Sequence, residues 1–377
     1  MWGAGEGPVH SIWNHLPSLR ELLVYQNPTP IGRLGAPNIV HLAIERVVHQ
    51  RAVTIQAVLD TLRGCPLLET LLFSHSGVIS EASSPDHSSV SLPRLRSIEL
   101  GEDEVHSGLI TCLQLPQKIA VGFRMIQQKH LYNDTPPTLI SSIQHILERI
   151  DIRSITLAAP LTYLHTELLI HFEGLGGSFE ITTDGKCFPA RPRLALLALE
   201  GILSSPLPGV ENVKELHIVG CSFDSTQGSR HINAALRNIV SISFFHCDDS
   251  QVFKLLTQTY NSLPSFPYLE RVMILGRGSK MEQVARRRKE LGLPLKTIVL
   301  GQGSKGFEYN HPKDYTVLRG LVDDLRVGCP TEILEWGAEN DVLITWSPTR
   351  VPVSPSGEFD QAYGISPRDA GYSRRCS

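Results

Sequence analysis

Leu19-Arg20-Glu21-Leu22-Leu23-Val24-Tyr25-Gln26-Asn27 is the stretch whose reading decides the fold. Its pattern is L-x-x-L-x-L-x-x-N. Leu22 and Val24 alternate as on a strand with one buried face, and Asn27 closes the run with a side chain suited to hydrogen-bonding turn backbone. Leucine is common, so a single copy establishes little. The six-residue kernel h-x-x-h-x-h, with h apolar, recurs ten times, starting at Leu19, Ile39, Leu68, Leu95, Ile152, Leu194, Val213, Ile239, Leu269 and Leu295. Two longer gaps leave room for weaker copies, at Lys118-Ile119-Ala120-Val121-Gly122-Phe123 and around Phe179-Glu180-Ile181.

Most kernels start about 20–30 residues apart, the period of a leucine-rich repeat. Many carry a proline one or two residues ahead, at Pro17, Pro37, Pro66, Pro93, Pro192 and Pro267, where a fixed φ suits the approach to a short strand. Between kernels lie amphipathic segments. Ile55, Val58, Leu59 and Leu62 follow the spacing of a helix with one apolar stripe, as do Leu139, Ile143, Ile146, Leu147 and Ile150, and Val252, Leu255, Leu256 and Tyr260. A unit of strand, turn, helix and return cannot bury either face alone, so the units must stack. The fold expected is therefore α/β: a leucine-rich-repeat-like solenoid, an irregular horseshoe with parallel strands on the concave face and helices outside.

That domain spans residues 11–336, after a flexible N-terminus at 1–10. The residues from 337 to 377 are rich in Ser, Pro, Gly and Arg and lack apolar periodicity, which predicts a disordered tail. Glu81–Ser89 and Lys129–Pro137 read as polar loops. The net charge of −3 argues against a dedicated nucleic-acid or membrane-surface protein. The longest apolar run, Leu194 to Leu203, contains Glu200 and is too short to span a bilayer. No signal-peptide pattern opens the chain, and its seven scattered cysteines suit a reducing compartment, so a cytoplasmic or nuclear location is expected.

Few constellations point to chemistry. Cys221 and Cys247 occupy the slot that Asn27 fills in the first copy, three residues after the last apolar kernel position. Buried thiols in a repeated turn explain both better than zinc, despite His217 and His246 nearby. Leu275-Gly276-Arg277-Gly278-Ser279-Lys280 and Leu300-Gly301-Gln302-Gly303-Ser304-Lys305 are near-twins after kernels. Neither has the Walker spacing, and Ser279 with Glu282 reads as a helix capping box. Arg286-Arg287-Arg288-Lys289 is the densest basic run and reads as a solvated helix face, with Glu282 and Glu290 four residues on either side of Arg286. Glu102-Asp103-Glu104 and Asp323-Asp324 read as solvated turn carboxylates. No catalytic signature is found, and no cofactor or metal is expected.

Cys65-Pro66-Leu67-Leu68-Glu69-Thr70-Leu71, Ser91-Leu92-Pro93-Arg94-Leu95-Arg96-Ser97-Ile98-Glu99-Leu100-Gly101, Ser107-Gly108-Leu109-Ile110 and Leu115-Pro116 resemble the repeats of fungal F-box proteins, especially those of mushroom-forming fungi. The resemblance covers roughly residues 11–335. It implies a ubiquitin-ligase substrate receptor whose repeats hold a protein substrate and whose F-box docks a Skp-type adaptor. The first kernel begins too near Met1 to leave room for an F-box, so adaptor docking would need a missing segment. Cys329-Pro330-Thr331-Glu332-Ile333-Leu334-Glu335 looks like an F-box opening at the wrong end and reads as coincidence. The expected function is a non-enzymatic protein–protein interaction scaffold. Its candidate concave-face contacts are the polar x positions Arg20, Glu21, His41, Glu69, Arg96, Glu99, Arg153, Lys214, Glu215, His217, Glu270, Arg271 and Lys296. The competing reading is a nucleotide- or nucleic-acid-binding protein using the Gly-x-Gly-Ser-Lys turns and the Arg286–Lys289 run.

Overall fold

The computed structural model describes residues 18–25, 37–45, 53–74, 78–79, 89–102, 105, 108–125, 137–158, 169–183, 202–203, 207–221, 228–245, 247–260, 263–275, 278–301 and 315–328. The chain is α/β, built on one large, mostly parallel sheet of 13 strands. In chain order the strands are β1 Glu21–Tyr25, β2 His41–Glu45, β3 Thr70–Ser74, β4 Ser97–Gly101, β5 Ile119–Met125, β6 Ile152–Ala158 and β7 Leu169–Gly174. They continue with β8 Gly177–Thr183, β9 Glu215–Val219, β10 Ser241–Phe245, β11 Arg271–Leu275, β12 Thr297–Gly301 and β13 Asp324–Gly328. Among the described residues the helices of eight or more residues are α1 Ile55–Arg63, α2 Pro137–Ile150, α3 Gly228–Ala235, α4 Asp249–Thr257 and α5 Met281–Glu290. None is long and apolar enough to cross a membrane.

Nine of the ten kernels fall in described residues, and each forms a strand of the sheet. All but the one at Ile152, whose strand starts with the kernel, begin their strand at the third kernel position. The kernel at Leu194, the slot of Asn27, residues 81–88 and 129–136 of the two polar loops and the 337–377 tail lie outside the described residues, while Pro137, read as the end of a loop, opens α2. The weak copies at Ile119 and Phe179 are strands β5 and β8. An eleventh copy, Val322-Asp323-Asp324-Leu325-Arg326-Val327, forms β13. There Asp324 aligns with Thr297 and Leu325 with Ile298, so Asp323-Asp324 opens a strand and is no isolated acidic turn.

The register repeats from strand to strand. Leu22, Leu42, Leu71 and Ile98 align across β1 to β4, and Leu216, Ile242, Val272 and Ile298 across β9 to β12. These fourth-position residues and the sixth-position ones (Ile44, Phe73, Leu100, Ile218, Phe244, Leu300) join one apolar core with the helix stripes. Ile55, Val58, Leu59 and Leu62 of α1 are buried there, as are Leu139, Ile143, Ile146, Leu147 and Ile150 of α2 and Val252, Leu255 and Leu256 of α4. Each such burial contributes about 1.5–3 kcal/mol. Thr54 starts α1 by accepting a hydrogen bond from Ala57 N, and Asp248 starts α4 by accepting from Ser250 N and Gln251 N.

The prolines act one step earlier than a strand. In Cys65-Pro66-Leu67-Leu68, Leu92-Pro93-Arg94-Leu95 and Phe266-Pro267-Tyr268-Leu269 the first kernel N–H donates back to the residue before proline, at 3.2, 3.1 and 3.1 Å. Proline sits second in a four-residue turn, where its φ is already correct.

The sheet departs from pure repetition once. Its order is β1-β2-β3-β4-β5-β8-β7-β6-β9-β10-β11-β12-β13, and β7 runs antiparallel to β6 and β8. The β7–β8 hairpin turns through Leu175-Gly176 between paired Gly174 and Gly177. Backbone crowds this turn from both sides. A Cβ on Gly177, at φ 128, would lie 1.9 Å from the Ile119 carbonyl oxygen, and one on Gly176 2.2 Å from that of Arg149.

Candidate partner-binding face

Side chains at the third and fifth kernel positions point to the sheet face opposite the core. Second-position residues lie along the rim where the strands begin, held by a repeated backbone device. The carbonyl of Arg20 accepts from Val40 N and His41 N, that of Glu69 from Arg96 N and Ser97 N, and that of Lys214 from Val240 N and Ser241 N. The Val40, Val240, Glu270 and Lys296 carbonyls repeat the pattern.

The structure brings the candidate residues into two rows. Arg20, Glu69, Arg96, Arg153, Lys214, Glu270 and Lys296 line the rim. Glu21, His41, Glu99, Glu215, His217 and Arg271 lie on the sheet face. Arg20, Glu21, Arg96, Arg153, Lys214 and Lys296 are exposed, while His41, Glu69, Glu99, Glu215, Glu270 and Arg271 are half-buried. His217 corrects the expectation of exposure: it is only 7% exposed. Thr156 and Ser243 flank it in register, and neither of its ring nitrogens finds a hydrogen-bond partner. Glu215, two residues away on the same strand, lies 3.7 Å from Nε2. Ser243 Oγ is likewise unpartnered, so the neighbouring serine and histidine are not joined as a nucleophile and base would be.

Opposite charges meet between neighbouring strands. Arg96 lies 3.5 Å from Glu69, and Lys296 2.6 Å from Glu270. On the face, Arg124 lies 3.5 Å from Glu99, and His171 3.5 Å from Glu180. His41 Nδ1 and Thr70 Oγ1 are 2.8 Å apart. Glu99, Gly122, Glu180 and His171 align across four adjacent strands. Gly122 leaves the room into which Glu99 leans, since a Cβ there would touch the Glu99 Cγ at 3.6 Å. Burial raises the Glu99 pKa, Arg124 pulls it back, and Glu45 and Glu180 push it up again. Arg124, Glu180, His171 and the buried Glu45 are face residues the kernel rule alone does not select. They sit on weak or late kernel positions and on the unforeseen β7.

The face turns apolar toward β12. Met273 and Val299, at fifth kernel positions, are at most 1% exposed and form a second cluster with Phe245 and Leu275, separate from the main core. Glu102, read as a solvated carboxylate, is buried at 3% exposure; Asp103 and Glu104 lie outside the described residues.

The cysteine slot behaves as a repeat. Cys221 Sγ donates to the Val219 carbonyl at 3.3 Å and to Leu157 on the preceding strand at 3.8 Å. Cys247 Sγ does the same with Phe245 and Ile218, both at 3.5 Å. Burial pushes the Cys247 thiol up to about 12, so it stays protonated. Among the described residues no group of three or more His, Cys, Asp or Glu side chains is placed to hold a metal ion.

The basic run divides. Arg286 pairs with Glu282 at 2.8 Å and Arg287 with Glu290 at 3.1 Å, on the exposed side of α5. Arg288 turns inward and is 1% exposed. Its guanidinium donates to the carbonyls of Ser265 and Phe266, both at 3.0 Å, of Leu256 at 3.3 Å and of Leu269 at 3.5 Å. Phe266 has φ 47, the left-handed region that a bulky residue rarely adopts, and Arg288 holds its carbonyl there. The capping box at Ser279 does not form. Its N–H and hydroxyl both donate to the Asp249 carboxylate, at 2.8 and 2.5 Å, and the α5 N-cap, Lys280, makes no side-chain cap bond. Gly276-Arg277 and the second turn from Gln302 lie outside the described residues.

No protein-family model matches this chain, and no curated protein matches it.

Proposed function

We propose that this chain is a protein–protein interaction scaffold, folded as a leucine-rich-repeat-type solenoid with an irregular horseshoe course and strands on its concave side. The repeat reading is supported by the side-chain slot that Cys221 and Cys247 share, each bonded to its own strand and to the one before. One observation carries the functional reading. Polar side chains from strands far apart in sequence, Arg20 to Lys296, stand in register along one rim and one face of a single sheet. Such a surface offers paired charges of both signs and hydrogen-bonding groups over many strands, as a polar protein interface does. The partner reading stays that of the sequence resemblance: the substrate-recognition repeats of an F-box ubiquitin-ligase receptor, with a Skp-type adaptor involved only through an F-box outside this sequence.

Affinity capture with the chain from its native cell, scored for Skp and cullin subunits and repeated with Arg96→Glu and Glu99→Arg, tests both layers. Partners lost on either substitution support the scaffold. Captured partners without Skp or cullin remove the ligase layer alone. Capture that neither substitution alters removes the face as the binding surface. The nucleotide or nucleic-acid reading gains no favouring observation, because Ser279 is engaged by Asp249 and Arg288 faces the interior.

A further inference from the structure

A groove of about 590 Å³ lies on the rim between β9 and β12, off the strand face. That volume falls in the range of built ligand pockets. Lys214, Val240, Glu270 and Lys296, four consecutive second-position residues, form one side. Pro267, Tyr268 and Leu269 line it from the turn before β11, and Gly292, Leu293 and Pro294 from the turn before β12. We propose that this groove binds an extended acidic peptide segment of a protein partner. The proposal rests on the scaffold reading and gives one stretch of its rim a ligand chemistry.

The groove opens where a ladder stops. In the turn before β9, Asn212 Nδ2 donates to the Asp151 carboxylate at 3.3 Å. In the turn before β10, Asn238 Nδ2 donates to the Glu211 carbonyl at 2.7 Å. The same slot in the next turn holds Tyr268, whose ring is not tied back and stands 62% exposed. An exposed tyrosine beside two prolines and a leucine is an anchor surface for an apolar side chain.

Backbone contributes little to recognition here. The amides of Val240, Ser241, Glu270, Arg271, Lys296 and Thr297 already donate to the carbonyls of Lys214, Val240 and Glu270. Side chains must therefore set the ligand. Lys296 is neutralised by Glu270 at 2.6 Å. Lys214 is exposed and has no carboxylate within ion-pair distance among the described residues. Lys214 precedes β9 and Tyr268 precedes β11, two strand spacings or roughly 10 Å apart along the rim. A carboxylate on Lys214 and an apolar side chain against Tyr268 thus fit one short extended segment. With Glu270 and Lys296 paired, Lys214 is the one uncompensated charge on this lining, which suits a segment carrying one or two carboxylates better than a continuous run of phosphates.

The test pans a phage-displayed random dodecapeptide library on the full chain and measures the enriched peptides by fluorescence polarisation. Enriched sequences are expected to carry Asp or Glu within three residues of a large apolar residue. Lys214→Glu and Tyr268→Ala are each expected to weaken them about tenfold, while Lys214→Arg retains binding. Both residues are exposed, and an unchanged thermal transition verifies the fold. If Tyr268→Ala does not fold, Lys214→Glu with its Lys214→Arg control carries the test. Enriched peptides without acidic residues, affinities insensitive to Lys214→Glu, or tighter binding of a twelve-nucleotide oligothymidylate would overturn the proposal. Native partners captured equally by the groove variants but lost with Glu99→Arg would reject the groove and leave the scaffold standing. No native partner at all, with peptide binding intact, would reject the scaffold reading instead.

Discussion

Arg288 provides the sharpest test of how the C-terminal repeats are held together. The perturbation is Arg288→Met, which keeps an apolar stem and removes the guanidinium. Two hydrogen bonds of 3.0 Å from a charged donor, to Ser265 and Phe266, contribute about 1.5–3 kcal/mol each, and the two longer ones about 0.5 kcal/mol each. Together they supply roughly 5 kcal/mol. Against this, burial pushes the guanidinium down to about 10, a cost of about 3 kcal/mol for keeping it charged. The difference predicts that Arg288→Met destabilises by about 2 kcal/mol, and that Arg288→Ala adds about 1–2 kcal/mol of lost stem packing. Arg286→Ala and Arg287→Ala break exposed pairs and are expected to change stability by less than about 0.5 kcal/mol. Urea unfolding of the four variants measures all of these. Hydrogen exchange should locate the Arg288 effect at α4, α5 and the turn before β11. Equal costs at the three arginines, or a neutral Arg288→Met, would refute the account of Arg288 as an internal tie.

Five further outcomes follow from the same geometry. Cys221, which is buried, and Cys247, half-buried with its thiol pushed up to about 12, should react with iodoacetamide far more slowly in the native than in the unfolded chain; rapid native labelling of either would contradict the slot. Hydrogen bonds from Ser250 hold the Asp248 carboxyl below its ordinary value. Its capping contribution, about 1 kcal/mol lost in Asp248→Ala, should therefore be present above the unfolded pKa and vanish as acid titrations pass through the folded one. Glu99 is raised by burial, so its contribution is full below the ordinary carboxylate range and is lost as pH rises through the folded pKa. Glu99→Gln should flatten that part of the stability–pH curve, and an unchanged slope would show that Glu99 is not the group responsible. Gly177→Ala should cost more than about 3 kcal/mol, because its Cβ would strike the Ile119 carbonyl. Gly292→Ala, at φ 76 in open space, should cost about 1 kcal/mol, and urea unfolding of the two glycine variants checks the difference.

The repeated part of the architecture was legible because it rests on side-chain period. The apolar pairs Leu22 and Val24, Ile98 and Leu100, Leu216 and Ile218, and Ile298 and Leu300 repeat with the period of two that a strand with one face on a core requires. The helix stripes from Ile55 and Leu139 were legible for the same reason. Val322-Asp323-Asp324-Leu325-Arg326-Val327 carries the full kernel pattern, but its second and third positions are Asp323 and Asp324, which read as a polar turn. The hairpin escaped because its signal is steric. Gly174, Gly176 and Gly177 mark close approaches to the backbones of Ile150 and Asp151, of Arg149 and of Ile119 that become visible only once those backbones are in place. The face was half legible. Kernel spacing found Glu99 and Arg96, but Arg124 and Glu180 belong to weak copies. The burial of His217, Met273 and Val299 is a tertiary fact with no local cue. Arg288 shows the limit most plainly, since sequence places four basic residues in a row and only the packing of α5 selects the one that faces inward.

The hairpin also bears on how the chain comes together. In a stack of identical units each new strand pairs with the one made just before it, so the sheet grows in the order of synthesis. Here β6 does not pair with β5. The open edge of β5 is closed by β8, which lies behind α2, β6 and β7 in the chain. Strands β1 to β5 can zip by local addition, and so can β9 to β13, but the two runs cannot become one sheet until β6, β7 and β8, ending at residue 183, lie between them. That junction and the β6–β9 pairing carry the longest-range contacts between neighbouring strands among the described residues, and so the slowest closures. A nascent chain that stops short of β8 exposes the bare edge of a five-stranded parallel sheet, the species most exposed to misassembly on the folding route.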